Sequence, residues 1–115
     1  MRREPKLTTI EHWIGGSFTS GTATRRGPVF NPATGQQQHE VVLAEPADVD
    51  AAVSAAKTAF ETWQDASLSK RTKILFNFRE LVNNRTKQIA EIISDEHGKV
   101  LSDAAGEVQR GLEVI

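Results

Sequence analysis

The chain has 115 residues, 38% hydrophobic and 25% charged, a makeup that fits one soluble globular unit with a modest core and not a disordered segment. Fourteen lysines and arginines offset fifteen aspartates and glutamates, scattered without a basic stripe, which argues against nucleic acid or a membrane as partner. Cysteine is absent, which removes any disulfide framework, thiolate metal site or thiol nucleophile, and no apolar run nears the roughly 18 residues that span a bilayer, so a cytoplasmic protein is expected.

Residues 1–11 are expected to form a mobile N-terminus, with the domain running over 12–115. His12-Trp13-Ile14, Gly15-Gly16 and Ser17-Phe18 read as a short hairpin, because paired glycines supply the positive φ angles of a two-residue turn. Gly27-Pro28-Val29-Phe30 leads into Asn31-Pro32-Ala33-Thr34-Gly35, a sharp reversal in which proline fixes one turn position and glycine takes the left-handed one. Gln36 to Ala44 alternates weakly and contains Val41, Val42 and Leu43, which predicts a strand ending before Glu45-Pro46. Two or three short strands are expected in all.

The remainder predicts about four helices. Asp48 is the expected cap of the first, where Val49, Ala52, Val53, Ala56, Ala59, Phe60 and Trp63 recur at helical spacing. Ser67 or Ser69 caps the second, with Ile74, Leu75, Phe78, Leu81 and Val82 as its stripe, Lys70, Arg71, Lys73 and Arg79 on a solvated face, and Asn83-Asn84 at its end. A third helix from about Thr86 buries Ile89, Ile92 and Ile93 and closes at Gly98. In the fourth, Leu101, Ala104, Ala105, Val108, Leu112 and Ile115 keep helical spacing to the last position with no closing residue, so it reads as cut within a larger domain, its last carbonyls unpaired. No repeat or linker separates these segments, and one compact unit is expected.

Few residues point to chemistry on their own. His12, His39 and His97 lack metal-ligand spacing and read as surface or capping residues, so no metal site is expected. Asp48 and Asp50 can be paired carboxylates for acid–base work or, at a helix start, capping groups complementary to the dipole. The basic face at Lys70, Arg71 and Lys73 can meet a phosphate or simply water. The aromatic residues Phe60, Trp63 and Phe78 lie on or beside the helix stripes as core would, whereas Phe76 falls off its stripe. No glycine-rich strand-to-helix turn is present to seat a pyrophosphate.

The ordered set Trp13-Ile14-Gly15-Gly16, Asn31-Pro32-Ala33-Thr34-Gly35, Asp48-Val49-Asp50-Ala51-Ala52-Val53, Ala59-Phe60, Trp63, Arg71, Glu96-His97-Gly98-Lys99 and Gly106-Glu107-Val108 resembles the amino-terminal segment of the NAD(P)-dependent aldehyde dehydrogenase superfamily. Ile74-Leu75-Phe76-Asn77-Phe78 and Gly106-Glu107-Val108-Gln109-Arg110-Gly111 resemble its CoA-acylating methylmalonate-semialdehyde dehydrogenase branch. The resemblance implies an α/β fragment, short amino-terminal strands followed by about four helices, belonging to a cofactor-binding domain. It also implies a parent that is a homo-oligomer using NAD, a semialdehyde and CoA, through a cysteine thioester. The family's cysteine and cofactor cleft fall beyond Ile115, so no catalytic or cofactor-binding residue is expected here and this chain alone should be inactive. The other reading is a non-catalytic remnant or docking module, with the stripe of the last helix left exposed.

Arg110 is the one candidate for contact with substrate. On a helical wheel it falls opposite the stripe of the last helix, one turn after Gly106, whose missing side chain leaves room above the arginine stem. The resemblance implies that it holds the substrate carboxylate, for which a guanidinium offers a planar fork. The alternative is a solvated arginine near a helix end, leaning on Glu107 or Glu113.

Overall fold

A computed structural model describes residues 7–115, and the start of the expected mobile N-terminus, 1–6, lies outside the described residues. The described residues form five short strands followed by four helices. The strands are β1 (Thr8–Ile10), β2 (His12–Ile14), β3 (Ser17–Thr19), β4 (Arg25–Asn31) and β5 (Gln36–Leu43). The helices are α1 (Pro46–Trp63), α2 (Leu68–Asn84), α3 (Thr86–His97) and α4 (Leu101–Val114). Two compact units result: the described residues through Phe30 with Gln36–Asp65, and Asn31–Gly35 with Ala66–Ile115. The sequence showed no linker because the chain passes between the units within the Asn31–Gly35 turn region and again at Asp65-Ala66, with α2 already capped by Ser67.

In the first unit β2 and β3 form the expected hairpin, antiparallel, with Trp13 opposite Phe18. Their rings meet edge to face at a centroid distance of 4.7 Å and an angle of 78°, a cross-strand aromatic pair that favours this register. The turn residues Gly15 and Gly16 carry φ of 61° and 84°, as a turn of mirror-image type requires. The other sheet has the order β1-β5-β4. Thr8–Ile10, within the stretch expected to be mobile, is a strand running parallel to β5 with Thr8 opposite His39, and the Thr9 hydroxyl donates to Glu40 Oε1 at 2.8 Å. Such a pairing has no local signature, since its two strands lie about thirty residues apart in the chain.

Helix α1 begins earlier than its apolar spacing predicted. Its N-cap is Glu45, with Pro46 at the first turn, and Asp48 is the third helical residue, whose Oδ2 accepts the Glu45 N–H at 2.9 Å. Proline is favoured there because its missing N–H is one that the first turn cannot satisfy anyway. The expected cap at Asp48 is therefore moved three residues back, and Asp48 completes it from inside the helix. Among the described residues of this unit Val42 is the buried apolar one, while the α1 stripe is open, with Val53 48% and Phe60 56% exposed.

In the second unit α4 packs against α3 and α2. Ala90 of α3 with Ala104, Val108 and Leu112 of α4 form its buried core. The ends of the α4 stripe, Leu101 and Ile115, remain exposed. Ser67 caps α2, its hydroxyl accepting the Lys70 N–H at 3.2 Å. Helix α3 ends at Gly98 in the left-handed conformation, φ 85°, as predicted. The exposed apolar face lies on α2, where Leu75, Phe78 and Leu81 are each about half exposed, and not on α4 as the sequence suggested. Arg79 is not simply solvated: its Nε donates to the Leu112 carbonyl at 3.2 Å, satisfying one of the end carbonyls expected to be unpaired.

Candidate functional site

The second unit brings three of the sequence motifs together. Asn31 organises the turn that precedes β5: its carbonyl accepts Gly35 N–H at 2.8 Å and its side-chain Oδ1 accepts Ala33 N–H at 2.9 Å. Pro32 from that turn lies against Gly98, where a Cβ would come within 2.9 Å of the proline Cγ, so the site needs glycine for close approach as well as for its positive φ. The next residue, Lys99, reaches over the start of α4, and its Nζ forms an ion pair with Glu107 Oε1. Both side chains are partly sheltered, at 23% and 39% exposure. The hydrogen bond from Lys99 holds the Glu107 carboxyl below its usual range, partly opposed by burial and assisted by the charges of Lys99, Arg110 and His97.

Arg110 stands on the exposed side of α4, opposite Ala104, Val108 and Leu112, as the wheel predicted. Its guanidinium lies back over Gly106, where a Cβ would sit 4.0 Å from Nη2. That is ordinary contact distance, so the space above the arginine stem does not depend on glycine. Both acidic neighbours named in the solvated reading are engaged elsewhere: Glu107 by Lys99, and Glu113 by Gln109, whose Nε2 donates at 3.4 Å. Lys99 and Glu107 stand in the motifs that carry the family resemblance, which do not pair them. The available signal was a lysine just ahead of a helix start and a glutamate in its second turn.

The acidic pair at the start of α1 divides. Asp50 is exposed, whereas Asp48 is 4% exposed and accepts hydrogen bonds from Thr22 N at 2.6 Å, Thr22 Oγ1 at 2.9 Å and Glu45 N. Those backbone bonds, from Thr22 first and then Glu45, hold its carboxyl below the usual range against the opposing effect of burial. A buried carboxylate engaged on both oxygens serves structure, joining the β3–β4 connection to the start of α1. Of the histidines expected to be surface or capping residues, His12 and His39 are half-buried and His97 is exposed in the last turn of α3.

The passage from β5 to α1 is Ala44-Glu45, without glycine, and its helix N-terminus already holds the Asp48 carboxylate. An open groove of about 950 Å³ runs between the Gly15-Gly16 turn and α1, floored by Ala52, Ala55 and Ala59, and no titratable group lines it. Phe76 borders a smaller hollow of about 510 Å³ on α2, with Leu68, Thr72 and Lys73.

Residues 18–115 match the family described as "Aldehyde dehydrogenase family". The chain is 40% identical over 112 residues to malonate-semialdehyde dehydrogenase 1 of Geobacillus kaustophilus, covering 97% of this chain and 23% of that protein. It is 40% identical over 107 residues to malonate-semialdehyde dehydrogenase of Pseudomonas aeruginosa, covering 93% and 21%. Its fold superposes with a TM-score of 0.92 and 40% identity on a crystal structure presented as methylmalonate-semialdehyde dehydrogenase of Sinorhizobium meliloti complexed with NAD, over 96% of this chain and 23% of that one. This chain thus spans less than a quarter of the length of these relatives and corresponds to the amino-terminal part of the fold. With short strands leading into four helices, and with a match over most of its length, the chain belongs to the aldehyde dehydrogenase family.

Proposed function

We propose that this chain is the amino-terminal part of an NAD-dependent dehydrogenase that oxidises malonate or methylmalonate semialdehyde to an acyl-CoA, with Arg110 binding the substrate carboxylate. The observation that carries this reading is the 40% identity to malonate-semialdehyde dehydrogenase over 97% of the chain. The proposed partners are the small-molecule semialdehyde and CoA, within a homo-oligomeric enzyme. The nucleophilic thiol for the acyl intermediate and the site for NAD come from the remainder of that enzyme, because this chain has no cysteine and its described residues form no phosphate cradle. The 115-residue chain by itself therefore has no dehydrogenase activity.

The contribution of this segment is recognition. Arg110 is exposed, always charged, and bears a fork that matches a carboxylate through parallel hydrogen bonds. Holding that end of the semialdehyde orients the aldehyde carbon for attack and lets a charged aldehyde be chosen over a neutral one. The test is Arg110→Ala in the full-length enzyme. Loss of a charge-assisted pair predicts a KM for malonate semialdehyde raised about 10-fold or more, with the KM for a neutral aldehyde of similar size unchanged. An equal effect on both aldehydes, or none, refutes the assignment.

A further inference from the structure

Arg110 has a competitor for its guanidinium within its own helix. Glu107 lies three residues before it, a spacing at which an acidic and a basic side chain on a helix meet and pair. The two charges are close enough to act on one another. In the structure the Glu107 carboxylate is ion-paired through Oε1 with Lys99, the residue that follows the left-handed end of α3. Gly98 fixes where Lys99 starts, because Pro32 allows no side chain at that position. The lysine is thus delivered to Glu107 by a rigid corner.

We infer that Lys99 is a positioning residue for substrate: by holding Glu107 it keeps that carboxylate from closing on the Arg110 guanidinium, and leaves the fork open for the carboxylate of the aldehyde. The inference rests on the proposed role of Arg110 and adds to it the device that keeps the arginine available. Without the lysine, Glu107 becomes an internal mimic of the substrate carboxylate. It then competes at a fixed, high local concentration, which a freely diffusing substrate must displace. The net charge near the site also changes, since the lysine cation that neutralises Glu107 is gone.

The experiment uses the full-length enzyme with malonate semialdehyde and a neutral aldehyde, in the variants Lys99→Met, Glu107→Gln and the double variant. Competition of the strength of a partly sheltered helical ion pair predicts that Lys99→Met raises KM for malonate semialdehyde about 2- to 5-fold, with kcat and the KM for the neutral aldehyde unchanged. The double variant regains the wild-type KM, because the competing carboxylate is gone. A purely structural ion pair gives a different pattern, in which the double variant stays as impaired as Lys99→Met and both aldehydes suffer alike, and that result overturns the inference. If Lys99→Met does not fold, Glu107→Gln decides: a KM for malonate semialdehyde at or below wild type supports competition, and a raised KM overturns it. Arg110→Ala measured beside them separates the two claims. Discrimination between the aldehydes lost in Arg110→Ala but intact in Lys99→Met removes the positioning role alone, whereas discrimination intact in Arg110→Ala removes the substrate role and the positioning role with it.

Discussion

Gly21 and Gly15 make a matched pair for measuring how firmly Asp48 is held. Their φ angles are 57° and 61°, so alanine bears the same left-handed strain at either, about 1–2 kcal/mol, and the same loss of unfolded-chain freedom. Their surroundings differ. A Cβ on Gly15 meets nothing within 4 Å, whereas one on Gly21 overlaps the Asp48 carboxylate, lying 2.8 Å from its Cγ and closer still to Oδ1. The carboxylate cannot retreat without releasing the Thr22 N–H at 2.6 Å or the Glu45 N–H at 2.9 Å. An amide left without a partner adds about 1–3 kcal/mol, so Gly21→Ala should cost about 2–5 kcal/mol in total. The difference between the two variants isolates the clash, because the backbone strain cancels.

Both tryptophans of the chain, Trp13 and Trp63, lie in the unit that contains Gly15, Gly21 and Asp48, so urea unfolding followed by tryptophan fluorescence reports on the right part of the molecule. A second cycle adds Asp48→Ala. If the clash is the cause, Gly21→Ala costs less in that background, and the coupling exceeds the about 0.5 kcal/mol expected of independent sites. Equal destabilisation by Gly15→Ala and Gly21→Ala would refute the reasoning, because it would mean that Asp48 moves aside freely and that its two hydrogen bonds from Thr22 do not hold the β3–β4 connection to α1.

Protonation should loosen the same joint. The folded-state pKa of Asp48 is lowered from its ordinary value of 3.8, so the unfolded chain takes up the proton first, and the stabilisation, fully present above that value, is lost as pH falls from 3.8 towards the lower folded pKa. Asp48→Asn should flatten that part of the acid titration of tryptophan fluorescence, and an unchanged profile would exclude Asp48 as its source. Arg79→Met should fray the end of α4 by removing the donor to the Leu112 carbonyl, at a cost of about 1–2 kcal/mol, seen as faster amide exchange in the last turn. The half-exposed apolar stripes of α1 and α2 should make the isolated 115-residue chain bind an apolar dye and self-associate. A single monomer boundary in sedimentation up to high concentration would contradict this.

The parts legible in the sequence are those whose cause is local. Gly15-Gly16, Ser67 and Gly98 each act on the residues beside them, and the structure places a turn, a cap and a helix end at those positions. The cap of α1 lies three residues ahead of the expected one because the apolar spacing begins at Val49, while the helix itself begins at Pro46, whose fixed φ suits a first turn. Strand β1 was not legible because its partner lies in β5. Burial was legible only where both surfaces belong to the chain. The α4 stripe is buried at Ala104, Val108 and Leu112 because α2 and α3 cover it, while equally regular stripes on α1 and α2 stay open.

The same distinction governs the candidate site. A helical wheel suffices to put Arg110 on the outer face of α4, since that follows from the helix period alone. It cannot show that the neighbouring glutamate is already engaged, because the engaging lysine sits before the helix begins, at a corner set by Gly98 and Pro32, and Pro32 is 67 positions upstream of Lys99. An arginine three residues from a glutamate is ordinarily read as a local ion pair with little function. With the Glu107 carboxylate ion-paired to Lys99, the same spacing fits the proposed role of Arg110, because a carboxylate-binding arginine needs its fork open to substrate.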